Sequence, residues 1–528
     1  MANLSDKYKN SLPFESSNIT TITSNYTASN NDVVFVNTAS SSLTVSLPAS
    51  PTTGSKIKVL DISSNSQNNN ITILGNGRNI GGASAYIINT PDSSAEFLFI
   101  NNTKGWNVLN QYVSLAKPGT PISVSATDVG TNRAYNNGAA TVSFVAPTSG
   151  GLIDSYTVTS SPGNFTATGL SSPITITGLQ SNTSYTFVVA ATNSSGSTTS
   201  SSSNSITATT VPQAPTISTV DYGFERLSVN YTAGATGGKS VSTYTATRTG
   251  SVTASGNSPI AFSSLTGGTA YTISMTATNS NGTSIASNSV TQTPFTATGG
   301  SITTSGSSRI HTFNGTADFV LTGNTVACEY LCIAGGGGGS GSYGNGGGAG
   351  GYLTATYTAT PNSYTATVGG GGGNNTQGGN SSIFGVTSIG GGRGSSGSGG
   401  SGGGASGAGT SGQGNNGGAN TESGGGGAGG VGGNGGGGGP GGVGLSSSIT
   451  GTATFRGGGG GGSTYYGSQS RAGGNGGGGN GGLGGPDRTG GWVAPTSGTA
   501  NTGGGGGGGS ETAPGNGGSG VVIIRYTM

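Results

Sequence analysis

The stretch VACEYLCIAGGGGG, residues 326–339, passes from a strand to a run with no side chains at all. In its first half Cys328 and Cys332 fall on one face of a β-strand. Four residues at ~3.3 Å each set their Cα atoms ~13 Å apart, beyond the ~7 Å reach of a disulfide. They read as free, buried, apolar thiols. The second half opens a different regime. Residues 335–520 hold 84 of the 113 glycines of this 528-residue chain. Upstream, Ser, Thr, Asn and Val alternate with period two between Gly, Pro and Asn, the pattern of short strands joined by tight turns. The expectation is a mostly β chain whose last part is built on another principle.

Composition narrows the function. At ~150 residues per domain the length suggests three to four domains. Charged residues are 6% of the chain and the formal net charge is +2, which excludes a strongly basic nucleic-acid face. One histidine and two cysteines exclude a multi-His or multi-Cys metal site. No apolar run approaches the ~20 residues that span a bilayer, so no membrane insertion is expected. MANLSDKYKNSLPF lacks the apolar core of a secretory signal. GGKS at 237–240 is not the end of a P-loop, because position 233 is Ala and no helix follows. His311 in RIHTFNG reads as a surface or strand residue. No Ser/His/Asp set or carboxylate pair stands out, so the expectation is a non-enzyme with no cofactor and no metal.

Residues 18–116 carry strand candidates at Val33–Asn37, Leu43–Leu47, Lys56–Ser63, Asn70–Leu74, Ala85–Ile88, Glu96–Ile100 and Trp106–Leu109. Leu43, Val45 and Leu47 share a face, and Trp106 reads as core. A small β-sandwich is expected, preceded by an attachment segment at 1–17. The order FVNT…LTVSLPASPTTGSKIKVLD…ITILGNG…AEFLFINNTKGWNVL resembles a β module of bacteriophage tail-fibre proteins. The resemblance implies a homotrimer and contact with other virion or tail proteins through the N-terminus. Ile57, Phe97 and Phe99 are read as outer-face residues left for that trimer.

The middle of the chain repeats. TSYTFVVAATNSSG (183–196) matches TAYTISMTATNSNG (269–282), with Leu179 and Leu265, Tyr185 and Tyr271, and Asn193 and Asn279 each 86 residues apart. A repeat this long is a whole domain rather than a solenoid unit. Both copies, 117–211 and 212–294, resemble fibronectin type III domains. Leu179 and Tyr185, and Leu265 and Tyr271, match that family's Leu and corner Tyr, whose ring packs inside while its hydroxyl reaches backbone. Where the family carries a Trp, this chain has Phe144 and Tyr231, each expected to fill the core. The two copies read as spacers.

Residues 295–528 are expected to fold despite their composition, because ADFVL, VACEYLCIA and a closing GVVIIRY are real strands. Polyglycine can adopt the polyproline-II conformation with three residues per turn and N–H and C=O groups pointing sideways. Those groups need partners when buried, and neighbouring runs supply them. The runs at 335–339, 369–373, 435–439, 457–462 and 503–509 therefore read as packed polyglycine-II helices joined by loops. VACEYLCIAGGGGG…YTATVGGGGG…GGNSSIFG…GNGGSGVVIIRYTM resembles the glycine-rich C-terminal domains of phage tail-fibre and tail-tip adhesins. That resemblance implies a rigid glycine sandwich whose end loops touch a host cell-surface receptor, glycan or protein. Candidate contacts come from three glycine-bracketed segments: Ile449, Phe455 and Arg456; Tyr465, Tyr466 and Arg471; Asp487, Arg488 and Trp492. Tyr, Trp and Arg supply contact area at low entropic cost. The leading expectation is a virion-borne receptor-binding fibre made in the host cytoplasm. A capsid-decorating fibre or bacterial surface adhesin is the alternative. An ice-binding or silk-like protein fits less well, since the glycine blocks lack a triplet register and unique modules precede them.

Overall fold

In the computed structural model, residues 18–91, 93–112, 117–341, 343–466, 471–484 and 493–528 are described. The segment 1–17, read above as the attachment segment, lies outside them. The described residues contain strands and no helix. The chain divides into two compact units. One holds Met1–Thr216, Ala233–Thr245 and Met275–Ser287, and the other holds Ile217–Thr232, Ala246–Ser274 and Asn288–Met528.

The first module has two sheets, as expected, but the chain threads them differently. Strands Asn18–Ile22, Asp32–Val36 and Lys56–Asp61 pair in parallel in one sheet. Tyr26–Thr27, Leu43–Ser46 and Ile71–Leu74 pair in parallel in the other. Because consecutive strands alternate between sheets, the first part is a coil of parallel rungs. Ala85–Ile88, Ser94–Asn101 and Gly105–Tyr112 then close it with antiparallel pairs. Leu43, Val45, Leu47 and Trp106 are buried between the sheets. So are Ile57, Phe97 and Phe99, which corrects their reading as an outer face. Period two says which residues share a face, not which face is inward.

Both repeats are sandwiches. In the first, Ile122–Asp128, Gly138–Val145 and Ile174–Leu179 form one sheet, and Thr166–Gly169, Ser155–Ser161, Thr183–Asn193 and Gly196–Thr199 the other. In the second, Thr216–Gly223, Arg226–Thr232 and Ile260–Phe262 form one sheet, and Val252–Ser255, Val241–Arg248, Tyr271–Asn279 and Gly282–Thr283 the other. The corner tyrosines act alike: Gln180 N–H donates to the Tyr185 hydroxyl at 3.0 Å, and Thr266 N–H to that of Tyr271 at 3.1 Å. Phe144 is core. Tyr231 is only half-buried and turns its hydroxyl outward, donating to the Gly256 carbonyl, so it fills the core less than expected.

The last part begins as a fourth two-layered β structure. Thr296–Thr298, Ala317–Thr322 and Asn362–Ala366 form a three-stranded sheet. The second sheet runs Ser301–Ser305, Ser308–Phe313, Val521–Thr527, Val326–Ile333, Tyr352–Ala359, so the strand latest in the chain is central. Cys328 and Cys332 are free and buried here, and burial pushes both thiols up to about 12. His311 is a fully buried strand residue, not a surface one. Beyond Ser388 the only strands among the described residues before Val521 are the short hairpin Leu445–Ser447 with Thr454–Arg456. Glycine runs make up most of the other described residues there.

Candidate functional site

The glycine runs are joined backbone to backbone with a repeat of three. In the first run, the N–H groups of Gly335 and Gly338 donate to Gly379 and Thr376. Those of Gly336 and Gly339 donate to Gly518 and Gly515, and those of Gly337 and Ser340 to Gly348 and Asn345. The carbonyls repeat the pattern toward three further segments. Gly335 and Gly338 accept from Gly391 and Gly394, Gly336 and Gly339 from Gly372 and Asn375, Gly337 and Ser340 from Gly506 and Gly509. One run thus has six neighbours, and three residues is the turn of a polyproline-II helix. A Cβ on any residue from Gly335 to Gly339 would lie 1.8–2.2 Å from a carbonyl oxygen of Gly370, Gly504, Gly392, Gly373 or Gly507. Glycine is required here by close approach on every side.

The same bonds order the loops. Run 335–339 leaves strand Val326–Ile333, and run 346–351 returns to Tyr352–Ala359, so the turn between them is the end remote from the sheet. Gly460 and Ser463 donate to Gly347 and Gly344, which carries run 457–464 from the sheet to that remote end. Gly458, Gly461 and Thr464 donate to Gly476, Gly479 and Gly482, which brings Leu483 there too. Gly506 and Gly509 donate to Gly337 and Ser340, which brings Glu511. The Ser423 N–H donates to Asn345 Oδ1 and adds Glu422.

At this end Tyr465 stands between two other rings, Tyr343 at 4.6 Å and Tyr466 at 4.7 Å between centroids. Its backbone N–H donates to the Glu422 carboxylate at 2.9 Å, fixing the ring's root. Loss of solvent, then the nearby Tyr343 and Glu511, raise its phenol above the ordinary tyrosine range. Tyr466 is 70% and Tyr343 45% exposed. Arg471 is exposed and donates from Nε to the Gly437 carbonyl at 2.9 Å. Two exposed rings flanking a backbone-anchored third form a ledge open to a ligand, with carboxylate and guanidinium close by. Asp487, Arg488 and Trp492 lie outside the described residues.

The other candidate segment is at the opposite end. Ile449 is 1% exposed and packs with Ile310, Leu331, Ile333, Tyr352, Val521 and Ile523, covering the outer face of the five-stranded sheet. It belongs to a core and is withdrawn as a receptor contact. Phe455 is exposed on the hairpin beside it. Arg456 is half-buried; burial lowers its pKa below the usual guanidinium value, and its Nη1 has no hydrogen-bond partner. Loops 445–456 and 465–471 are separated by a single run, so they cannot share an end. That parity is readable from sequence. Tyr343, in the turn GGGGGSGSYGNGGGAG, was missed by the same oversight: it too is an aromatic bracketed by glycine runs.

Residues 125–208 match the fibronectin type III domain family, and residues 311–527 match a family described as a glycine-rich domain. These two domains together are those of an adhesion or binding protein. No curated protein matches the chain. Among solved structures, the FN1–FN3 domains of chicken CNTN1 align at 13% identity over 47% of this chain and 92% of that one, with a TM-score of 0.23.

Proposed function

We propose that this chain is a bacteriophage tail-fibre receptor-binding protein that attaches the virion to the host cell through the remote end of its glycine-rich domain. The glycine runs are polyglycine-II helices in this reading, and their threefold bonding supports it. The observation that carries the proposal is the Tyr343–Tyr465–Tyr466 ledge: two exposed tyrosine rings flanking a half-buried third at the end of the bundle remote from the sheet. A rigid support lowers the entropic cost of binding through such rings. The two sandwiches are spacers, and the first module joins the virion as a homotrimer. The receptor is a host glycan or outer-surface protein.

The test is adsorption of purified full-length protein to host cells. Tyr343→Ala with Tyr466→Ala removes exposed side chains without touching the glycine runs. A hot-spot loss of about 2 kcal/mol for the pair together predicts a loss of roughly thirtyfold in affinity. Wild-type adsorption by the folded double variant overturns the assignment.

A further inference from the structure

The first part of the linker between the two sandwiches, Thr209–Val211, is as buried as a core strand: Thr210 is inaccessible and Thr209 and Val211 nearly so. All three of its amide N–H groups are bonded. Thr209 N–H donates to Asp128 Oδ1 at 3.0 Å and Val211 N–H to the Arg133 carbonyl at 2.9 Å, both in the first sandwich. Thr210 N–H, between them, donates to the Gly237 carbonyl of the second at 2.8 Å. The linker is stitched alternately to one side and the other.

Two asparagines of the second sandwich close the stitch. Asn279 Nδ2 donates to the carbonyls of Thr210 and Thr236, each at 2.9 Å. Asn281 Nδ2 reaches Thr209 Oγ1 at 2.7 Å and the Thr210 carbonyl at 3.2 Å. The Asn281 carbonyl accepts the N–H of Asn132, in the first sandwich, at 2.7 Å. Gly130 makes room: a Cβ there would lie 2.1 Å from Thr209 Oγ1 and 2.5 Å from Asn281 Nδ2. The compact unit that contains the first sandwich also takes in Ala233–Thr245 and Met275–Ser287, the part of the second that carries these contacts.

We infer that the Asn279–Asn281 clamp welds this part of the second sandwich to the first, so that the junction has no swivel. Buried amides left unpaired are costly, so opening the hinge would expose or orphan several polar groups at once. A short linker that is solvated can bend; this one must break its bonds to do so. The repeat itself separates clamp from fold. Asn193 is the counterpart of Asn279, and each accepts the N–H two residues on, from Ser195 or Asn281, at 2.9 and 2.8 Å. The counterpart of Asn281 is therefore a serine, so the turn tolerates serine and the second amide is an addition for the junction.

The experiment measures interlabel distances in the full chain by pulsed dipolar spectroscopy. Spin labels go on the exposed positions of Leu170→Cys in the first sandwich and Ile285→Cys in the second; the native Cys328 and Cys332 are buried. Wild-type background should give one narrow distribution. Asn281→Ser keeps the turn and removes one donor. Asn279→Asp with Asn281→Ser keeps the Oδ1 acceptor and removes the other donor. The distribution should broaden with the first change and broaden further with the second, at unchanged secondary structure. A broad distribution in the wild-type background overturns the inference. So does a distribution as narrow as wild type in a folded Asn281→Ser protein, which decides the matter if the double variant does not fold.

Discussion

Gly459 and Gly370 occupy the same kind of run and differ only in what a methyl group would meet. At Gly459 a Cβ would lie 2.1 Å from the Gly425 carbonyl oxygen, and at Gly506 2.0 Å from that of Gly515. At Gly370 nothing lies within 4 Å, and the backbone is outside the left-handed region. Gly459→Val or Gly506→Val is therefore expected to unfold the glycine-rich domain and leave the sandwiches intact, while Gly370→Ala folds as wild type. Limited proteolysis of the three variants checks this; equal resistance of all three refutes close packing. His311 gives a second test at this scale. Its Nδ1 bonds the Gly299 carbonyl at 2.7 Å and so carries the proton, leaving Nε2 to accept from the Tyr526 hydroxyl at 3.1 Å. Burial lowers its pKa, and the Arg309 charge lowers it further, against the raising pull of Gly299. A histidine with a depressed folded pKa binds its proton more readily in the unfolded chain. Its stability contribution is whole above the ordinary histidine range near ~6.5 and shrinks as pH falls below it. Thermal melts of the glycine-rich domain at pH 8 and pH 5 should therefore separate, and His311→Gln should narrow the gap.

At the scale of elements, much was legible in the chain. Leu43, Val45 and Leu47 announced one buried face, and all three are buried. The 86-residue offset announced two like sandwiches, and the corner tyrosines make the same bond in both. Strand direction was not legible, because alternation is identical in parallel and antiparallel pairs; hence the parallel rungs of the first module were not foreseen. The ends of the glycine bundle were misjudged for a related reason. Composition brackets a loop but does not say which end it reaches, and only the count of intervening runs does. Tyr185→Phe and Tyr271→Phe each delete an acceptor for a backbone N–H. Each should cost about 1 kcal/mol of its own domain's stability, read by denaturant titration.

For the whole molecule, stability is supplied by two different means. The β portions bury apolar side chains in continuous cores. The glycine bundle has almost none, and rests on backbone groups paired across runs that are distant in sequence. It cannot assemble from one end, since the run at 335–339 needs partners at 515–518. Strand Val521–Thr527 makes the dependence sharper. It pairs with Ser308–Phe313 on one side and Val326–Ile333 on the other. Deleting 521–528 should leave the first sandwich folded and the glycine-rich domain digested by protease; survival of a resistant fragment spanning 311–520 would contradict this.

That placement has a consequence for how the molecule is made. During translation, the strands either side of the sheet's centre leave the ribosome about two hundred residues before the strand that joins them. At ~5–20 residues per second, the nascent chain waits roughly ten to forty seconds with that gap open. A product cut short before Val521 never closes the gap and carries no finished ledge. Only a chain translated through Val521–Thr527 can present the three tyrosines together, so the ledge reports that this strand has been made.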